Sequence, residues 1–159
     1  MAWATDAFAW VYGAQGSQHN GDEELLRRIL ASADFLCRAQ TATGGLEIER
    51  GNWRGGPDRK PGGGCHEGFI LWPVCSALLR AFEHISRTGA FEEKIDSDGD
   101  GNADAPRRLA YATLLRNWTA RLINDPDARG HAPNQDAGNF LALALANELH
   151  LRLTGKVLL

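Results

Sequence analysis

The chain has few cysteines, no long apolar run and no excess of positive charge, and each absence excludes a class of protein. Cys37, Cys65 and Cys75 are too few and too irregularly spaced for a disulfide framework, and we expect Cys37 and Cys75 in the core. No segment approaches the roughly 20 apolar residues that cross a bilayer, so no membrane partner is expected. Seventeen basic against twenty acidic residues argue against a nucleic-acid binder.

The first residues, MAWATDAFAWVYG, lack the charged start and the apolar stretch of an export signal. We therefore expect a soluble chain that carries no leader of its own, with a periplasmic or secreted location only if it derives from an exported parent. Its 159 residues suit one domain.

Apolar residues recur every three or four positions in most of the chain, which predicts helices. Asp22 is a fitting N-cap for the first long helix, because its carboxylate can accept backbone N–H groups of the first turn. The last helix has almost no polar face and is expected to be buried on most sides. The predicted helices are Trp3–Tyr12, Asp22–Gln40, one that begins near Phe69 with a kink at Pro73, Arg107–Ile123 and Phe140–Leu153.

Three helices are followed by a Thr-Gly pair, at Gly44, Gly89 and Gly155, which is typical of a left-handed glycine after a helix end. A short strand at Leu46–Glu49 is the one exception to a helical reading. The sequence thus predicts an all-α domain over residues 1–159, made of antiparallel helical hairpins. Long loops are expected at 41–68, 89–106 and 125–138.

The segment DSDGDGNAD is a candidate metal loop. Asp96, Asp98, Asp100 and Asp104 stand at spacings where carboxylates in a tight turn converge, and hard oxygen ligands suit calcium. Arg107 occupies the position where an EF-hand needs a bidentate Glu, so the match to that motif is partial. No His, Tyr or nucleophile flanks the loop, so the ion would be structural. The alternative is a solvated turn that caps the following helix.

A glycine-rich segment, GNWRGGPDRKPGGGCHEG, is positive in an otherwise acidic chain. Arg54 and Arg59 could meet an anion, and Trp53 could stack on a sugar ring. His66 and Glu67 follow near a helix start, where the His is a candidate base or ligand contact. The simpler alternatives are a solvated loop and a pair of helix-capping side chains. No metal-ligand spacing is present around Cys65.

A second polar segment, RGHAPNQDAGNF, precedes the last helix. His131, Asn134, Gln135, Asp136 and Asn139 could together hold an anion or a sugar hydroxyl. Asp136 as an N-cap and Asn134 as a turn former would explain part of the pattern without any function.

Three stretches carry a resemblance: FLCRAQTATGG, WRGGPDRKPGGGCHEGFILWPVCSALLRAF and APNQDAGNFLALALANELHLRLTGK. Together they resemble part of an (α/α) toroid, as in polysaccharide lyases and heparinase II/III-like proteins. The resemblance spans most of Asp22–Lys156 and lies in architecture more than in a diagnostic motif. Such toroids have many more helices, so the chain is expected to be an incomplete toroid-like array: a fragment of a larger enzyme or a free-standing set of hairpins.

The resemblance implies β-elimination from an acidic, uronate-containing polysaccharide or oligosaccharide. Asn134 and Gln135 would neutralise the carboxylate, and only this pair is carried by the matched motif. The remaining roles follow from residue type and position. They are His131 or His66 as the base, Tyr12 or Tyr111 as an acid, and Trp53, Arg54, Arg59, Asp136 and Asn139 as substrate contacts.

Two other functions compete with the lyase. A glycosidase on the same scaffold would use Glu67 and Asp136 as its carboxylate pair and would accept a neutral substrate. A non-catalytic, calcium-stabilised module would bind sugar or protein through the same loops. The apolar last helix also predicts either further helices in a parent protein or a homo-oligomer.

Overall fold

The computed structural model describes residues 2–46, 67–125 and 133–159, without the side chain of Gln135. The regular structure of this part is helical apart from one very short β-hairpin and an isolated antiparallel bridge between Gln40 and Leu46, so the all-α class is confirmed. None of its helices is long and apolar enough to cross a membrane. The elements are α1 (Ala2–Gly13), α2 (Glu23–Arg38), α3 (Gly68–Thr88), β1 (Lys94–Ile95), β2 (Ala105–Pro106), α4 (Arg107–Asn124) and α5 (Pro133–Thr154).

Helices α1 and α2 form an antiparallel hairpin whose turn is closed by side chains as well as backbone. Asp22 caps α2 as expected, since its carboxylate accepts the N–H groups of Glu24 and Leu25. Further along the hairpin, Thr5 Oγ1 donates to Ser32 Oγ at 2.7 Å, and both residues are buried. This bond satisfies two hydroxyls inside the helix interface, where an unpaired one would be destabilising.

Helix α3 packs against α1, α2 and α5, while α4 packs against α2 and α5. Consecutive helices run in opposite directions. Glu67, just before α3, bonds Arg121 near the end of α4, whereas Phe91, just after α3, packs on Tyr111 near the start of α4. Because the directions alternate, the connections 47–66 and 126–132 start and finish at one end of the helices. The acidic loop and the α1–α2 turn are at the other end.

A polar network lies within the core between α2 and α4. Tyr111 donates its hydroxyl to Asp34 Oδ1 at 2.6 Å, and Arg107 Nε lies 3.1 Å from both Asp34 oxygens. Arg107 Nη1 also bonds Glu93 and the carbonyl of Ala90. Around this network the core is apolar, and it includes the buried thiols Cys37 and Cys75 as expected.

Two expected helix boundaries were wrong. Helix α2 ends at Arg38, so Gly44 does not terminate it but lies in the following turn with φ +85°, close against the backbone of Asn117. Helix α5 begins at Pro133, seven residues before the expected start at Phe140, so the predicted loop 125–138 is shorter than expected. Proline suits the first helical position, because a backbone N–H at that position would have no partner within the helix. Gly89 and Gly155 follow their helices with positive φ, as expected.

Helix α5 is buried on one side only, contrary to the expectation from its composition. Ala142, Ala146 and Leu149 face the core, but Phe140 is 69% exposed, and Leu141 and Leu151 are also exposed. Composition misled here, because apolar residues occupy both sides of the helix while the rest of the described chain covers one side. Coverage of the other side by a second copy stays a prediction.

Candidate functional site

A buried ion pair joins α3 and α4 at the end where the two undescribed connections meet the helices. Arg121 Nη1 lies 2.7 Å from each carboxylate oxygen of Glu67, and both side chains are over nine-tenths buried. Glu67 Oε1 also accepts the backbone N–H of Leu46 at 3.0 Å. One carboxylate thus ties together the residues that precede and follow segment 47–66, and it links them to α4.

Burial raises the pKa of the Glu67 carboxyl above its ordinary value, because the charged form loses its hydration. The N–H of Leu46, the charge of Arg121 and a hydrogen bond from Trp118 oppose this shift and stabilise the carboxylate. Glu67 is therefore held by three partners, one in the turn after α2 and two on α4. A carboxylate so engaged is suited to fixing geometry.

The first turns of α3 and α5 touch beside this ion pair. A Cβ added to Gly68 would lie 2.4 Å from Asn139 Oδ1 and 2.9 Å from Asn139 Cα. A Cβ added to Gly138 would lie 2.9 Å from the ring of Phe69. Glycine at both positions lets the helices approach this closely. As a result, segments 47–66 and 126–132 lead into helices whose starts are in contact.

Asn139 carries a polar group that the described residues leave unsatisfied. The residue is 6% exposed, and its Nδ2 has no hydrogen-bond partner among the described residues. A buried amide donor without an acceptor is destabilising by roughly 1–3 kcal/mol, so such groups often mark sites where a ligand or water binds. We call Leu46, Glu67, Gly68, Arg121 and Asn139 the loop-end site.

An open cleft of about 400 Å³, with both polar and apolar walls, adjoins the loop-end site at Arg121. It lies between the turn that follows α2 and the last two turns of α4, and Thr43, Gly44, Asn117 and Asn124 contribute to its walls. Asn117 Nδ2 donates to Gln40 Oε1 at 3.1 Å, which fixes the orientation of that amide. Amides and hydroxyls in a cleft of this size can hydrogen-bond a small polar ligand.

Most of the residues expected to act on a substrate lie outside the described part of the chain. These are Trp53, Arg54, Arg59, His66 and His131, together with the side chain of Gln135. Asn134 is exposed, Asp136 is half-buried and Asn139 is buried. All three lie in the first two turns of α5, so the expectation that they occupy a loop was wrong.

The two tyrosines considered as acids are both buried. Tyr111 is bonded to Asp34 inside the core, and burial next to that carboxylate raises its pKa well above its ordinary value. Tyr12 is 4% exposed and packs edge-on against His84, and burial raises its pKa as well. Tyr111 cannot reach a substrate from this position, so it is not a suitable acid.

Sequence reasoning missed Arg121 and Asn117. A signal for Arg121 was available, since it stands three residues after Trp118 and so shares the inward face of α4. A basic residue on a buried face requires an acidic partner, and Glu67 is that partner. Nothing in the sequence singles out Asn117, because its place in the cleft depends on the turn around Gly44.

The acidic loop brings three carboxylates together at the opposite end of the molecule. Ligand oxygens of Asp96, Asp98 and Asp100 all lie within 4.8 Å of one another. Asp96 accepts the N–H groups of Gly99 and Gly101, which curls the loop around its carboxylate. Hard, closely spaced oxygen donors of this kind fit a calcium ion.

The fourth predicted ligand, Asp104, is not in that group of three. It accepts a hydrogen bond from Ser97 at 3.3 Å, and its N–H donates to the carbonyl of Ile95. The antiparallel pairing of β1 with β2 closes the loop at its base. Arg107, at the position of the missing EF-hand glutamate, points instead to Asp34 on α2.

Comparison of the chain with protein-family models, with curated proteins and with solved structures found no match in any of the three. Interpretation of the site therefore depends on its residues and their geometry.

Proposed function

We propose that the chain is a carbohydrate-active helical domain whose substrate is an acidic polysaccharide or oligosaccharide, cleaved by a lyase-type elimination. The observation that carries this proposal is the contact between Gly68 and Asn139. It places the ends of both polar, glycine-rich segments next to one another, beside a buried amide donor. Convergent loops on a rigid helical scaffold are a common setting for binding and catalysis.

The roles follow the implied mechanism where the described residues allow it. Asn134, exposed in the first turn of α5, and Gln135 next to it would offer amide donors for a uronate carboxylate, with Asn139 as a further substrate contact. Stabilising the charge that develops as the neighbouring proton leaves is the largest contribution expected from such donors. His131 or His66 would take the proton, and Arg54, Arg59 and Trp53 would hold adjacent sugars.

A glycosidase that uses Glu67 as its acid is less well supported. The Glu67 carboxylate is buried and already accepts hydrogen bonds from Arg121 and Leu46. A general acid needs access to the glycosidic oxygen and a proton to give. Glu67 meets neither requirement, which favours a structural role for this residue.

We also propose that the acidic loop binds a structural calcium ion. The supporting observation is the convergence of Asp96, Asp98 and Asp100. The ion would offset the mutual repulsion of these carboxylates and brace the connection between α3 and α4. It would not take part in the chemistry, since the loop-end site is at the opposite end of the helices.

The lyase proposal is tested by absorbance near 235 nm, where the unsaturated uronate product absorbs, over a panel of acidic polysaccharides with and without calcium. A rise that Asn134→Ala abolishes and Asn20→Ala leaves unchanged supports the proposal. Asn20 is a suitable control because it is an exposed asparagine in the α1–α2 turn, at the opposite end of the helices. A flat trace from folded protein on every polymer rejects the proposal. Activity on neutral polymers that is lost in Glu67→Gln protein shown to be folded would instead favour the glycosidase.

The calcium proposal is tested by calorimetric titration of chelator-stripped protein. We expect one binding event that raises the melting temperature and that Asp98→Asn weakens. Glu83→Gln, a change at an exposed acid on α3, should leave it unaltered. Equal affinity in both variants would show that the acidic loop is only a solvated turn.

A further inference from the structure

The outward side of α1 carries two widely exposed tryptophans that no part of the proposed site uses. Trp3 and Trp10 are each 57% exposed. Seven residues are nearly two helical turns, so the two side chains share one face and their Cα atoms are about 10 Å apart. Ala7 between them is small and exposed. The result is a strip along α1 with an exposed indole at each end.

Both indoles are held in place by α3. Trp72 meets Trp3 edge-on, with ring centroids 4.9 Å apart and an angle of 77°. The Arg80 guanidinium lies 3.6 Å from the Trp10 ring centroid, and Asp6 is 3.6 Å from Arg80. The guanidinium covers one face of the Trp10 indole, while the residue as a whole remains 57% exposed. Side chains fixed in this way lose little conformational entropy when a ligand binds.

The strip leads towards the loop-end site. Because α1 runs in the same direction as α3, Trp3 lies near Trp72 and Trp10 lies near Arg80. The rings of Trp72 and Phe69 have their centroids 6.4 Å apart. The Phe69 ring in turn packs against Gly138 in the first two turns of α5. Aromatic rings thus follow one another from the middle of the helices to their loop end. We call Trp10, Trp3, Trp72 and Phe69 the aromatic track.

The size and charge of the track argue against several occupants. The two exposed indoles present a combined surface area on the order of 300 Å², since each residue exposes 57% of the area of an aromatic side chain. That is well below the roughly 800 Å² per partner of a stable protein interface, so a second copy is poorly supported. Arg80 is the one cation on this strip among the described residues, and it is paired with Asp6. Nucleic acid and anionic membranes would require more positive charge.

A linear polysaccharide fits the size and the low net charge of the aromatic track. Pyranose rings have apolar C–H faces that pack on indoles, and alternate sugars of an extended β-linked chain present the same face at intervals close to the spacing of Trp3 and Trp10. Asp6 and Arg80 at the edge could hydrogen-bond sugar hydroxyls. Because the charges of Asp6 and Arg80 offset one another, this pair neither selects nor repels a charged sugar.

We propose that the aromatic track binds an extended polysaccharide chain and guides it to the loop-end site. This inference rests on the proposed function in one respect, namely that the ligand is a polysaccharide. It does not depend on the reaction that is proposed for that ligand. Binding on the track needs no uronate carboxylate and none of the predicted catalytic residues.

The test uses the full chain and soluble β-1,4-linked glucose oligomers of two to six units, with binding followed by calorimetry and by tryptophan fluorescence. Affinity should rise steeply once the oligomer is long enough to reach both indoles. Trp3→Ala and Trp10→Ala should each weaken binding of the hexamer by about tenfold, since each removes one stacking contact. Phe140→Ala, at an exposed aromatic on α5, is the matched control and should bind as the unaltered chain does.

Three results would overturn the proposal. The first is absence of binding by folded, unaltered protein, and the second is binding that the double variant Trp3→Ala/Trp10→Ala retains in full. The third is self-association or vesicle binding that depends on Trp3 and Trp10, which would assign the face to another partner. Hexamer binding that depends on the indoles, combined with a flat 235 nm trace, would keep the track and reject the lyase. If the protein is a lyase and its Trp3→Ala variant has unchanged activity on long polymers, the lyase proposal stands and the aromatic track is rejected.

Discussion

The Arg121 guanidinium and the Glu67 carboxylate form a closed ion pair at the base of the loop-end site, with Nη1 2.7 Å from both oxygens. Because Glu67 also accepts the N–H of Leu46, this pair fixes both ends of segment 47–66 to α4. The two charges are removed from water together, so each depends on the other. The loop-end site is thus built around a structural pair, and the roles proposed towards a substrate fall to the residues around that pair.

Glu67→Ala should lower the free energy of unfolding by about 3 kcal/mol, the low end for a broken buried pair, because the remaining counter-charge of Arg121 is the more exposed Asp125, 3.6 Å from its Nε. Urea unfolding followed by circular dichroism measures the change. The double variant Glu67→Leu/Arg121→Met removes both charges and should recover most of the loss. If the double variant is as unstable as Glu67→Ala, the cost does not come from the unpaired charge.

Gly68→Ala should destabilise the protein by about 1–3 kcal/mol, since the added Cβ would overlap Asn139 and push α3 from α5. Gly13→Ala is the control, because a Cβ at that helical position meets no atom within 4 Å. Its effect should be small or slightly stabilising. Thermal melting of the two variants distinguishes them, and equal melting temperatures would contradict the close contact of the two helix starts.

The helical class and most helix positions could be predicted from the sequence, since the three-to-four-residue period of α2 and the Asp22 cap are local signals. The start of α5 was missed because Asn134 and Asp136 are residues that favour turns, yet Pro133 begins a helix there. The exposure of Phe140 was missed for a different reason: which side of an apolar helix is covered depends on the other helices.

The candidate site was predictable only in part. Asn139 was selected from its residue type, but its contact with Gly68 depends on α3 and α5 running side by side. Arg121 became part of the site through a partner 54 residues away. Long-range pairings of this kind carry no local pattern, so the sequence indicates residue types and the fold decides which of them meet.

Asp34→Asn should lower the pKa of Tyr111, which burial and the adjacent Asp34 carboxylate hold well above its ordinary value. Removing the negative charge makes the tyrosinate less unfavourable, although burial still opposes it. Ultraviolet titration near 295 nm in a Tyr12→Phe background isolates the one remaining tyrosine. An unchanged titration curve would mean that burial alone sets the pKa and that the 2.6 Å bond to Asp34 is not maintained in solution.

The two buried thiols should make the fold sensitive to alkali. Burial raises the pKa of Cys37 and of Cys75 to about 12, whereas an unfolded cysteine ionises near pH 8.5. Between these values the native state retains protons that the unfolded state loses, so the free energy of unfolding falls as pH rises. The slope should be about 1.4 kcal/mol per pH unit for each thiol above roughly pH 9, with no contribution below about pH 8.

Urea unfolding at a series of pH values from about 8 to 11 measures this slope, and Cys75→Ala should reduce it by the contribution of one thiol. Other groups also titrate in this range, so the difference between the two proteins is the informative quantity. In a Cys65→Ser background, neither remaining thiol should react with a thiol reagent at pH 8 until urea unfolds the chain, because both are buried and protonated. A fast reaction in the native state would show that one of the two helices opens locally, and the alkaline slope would then be shallower than two fully buried thiols require.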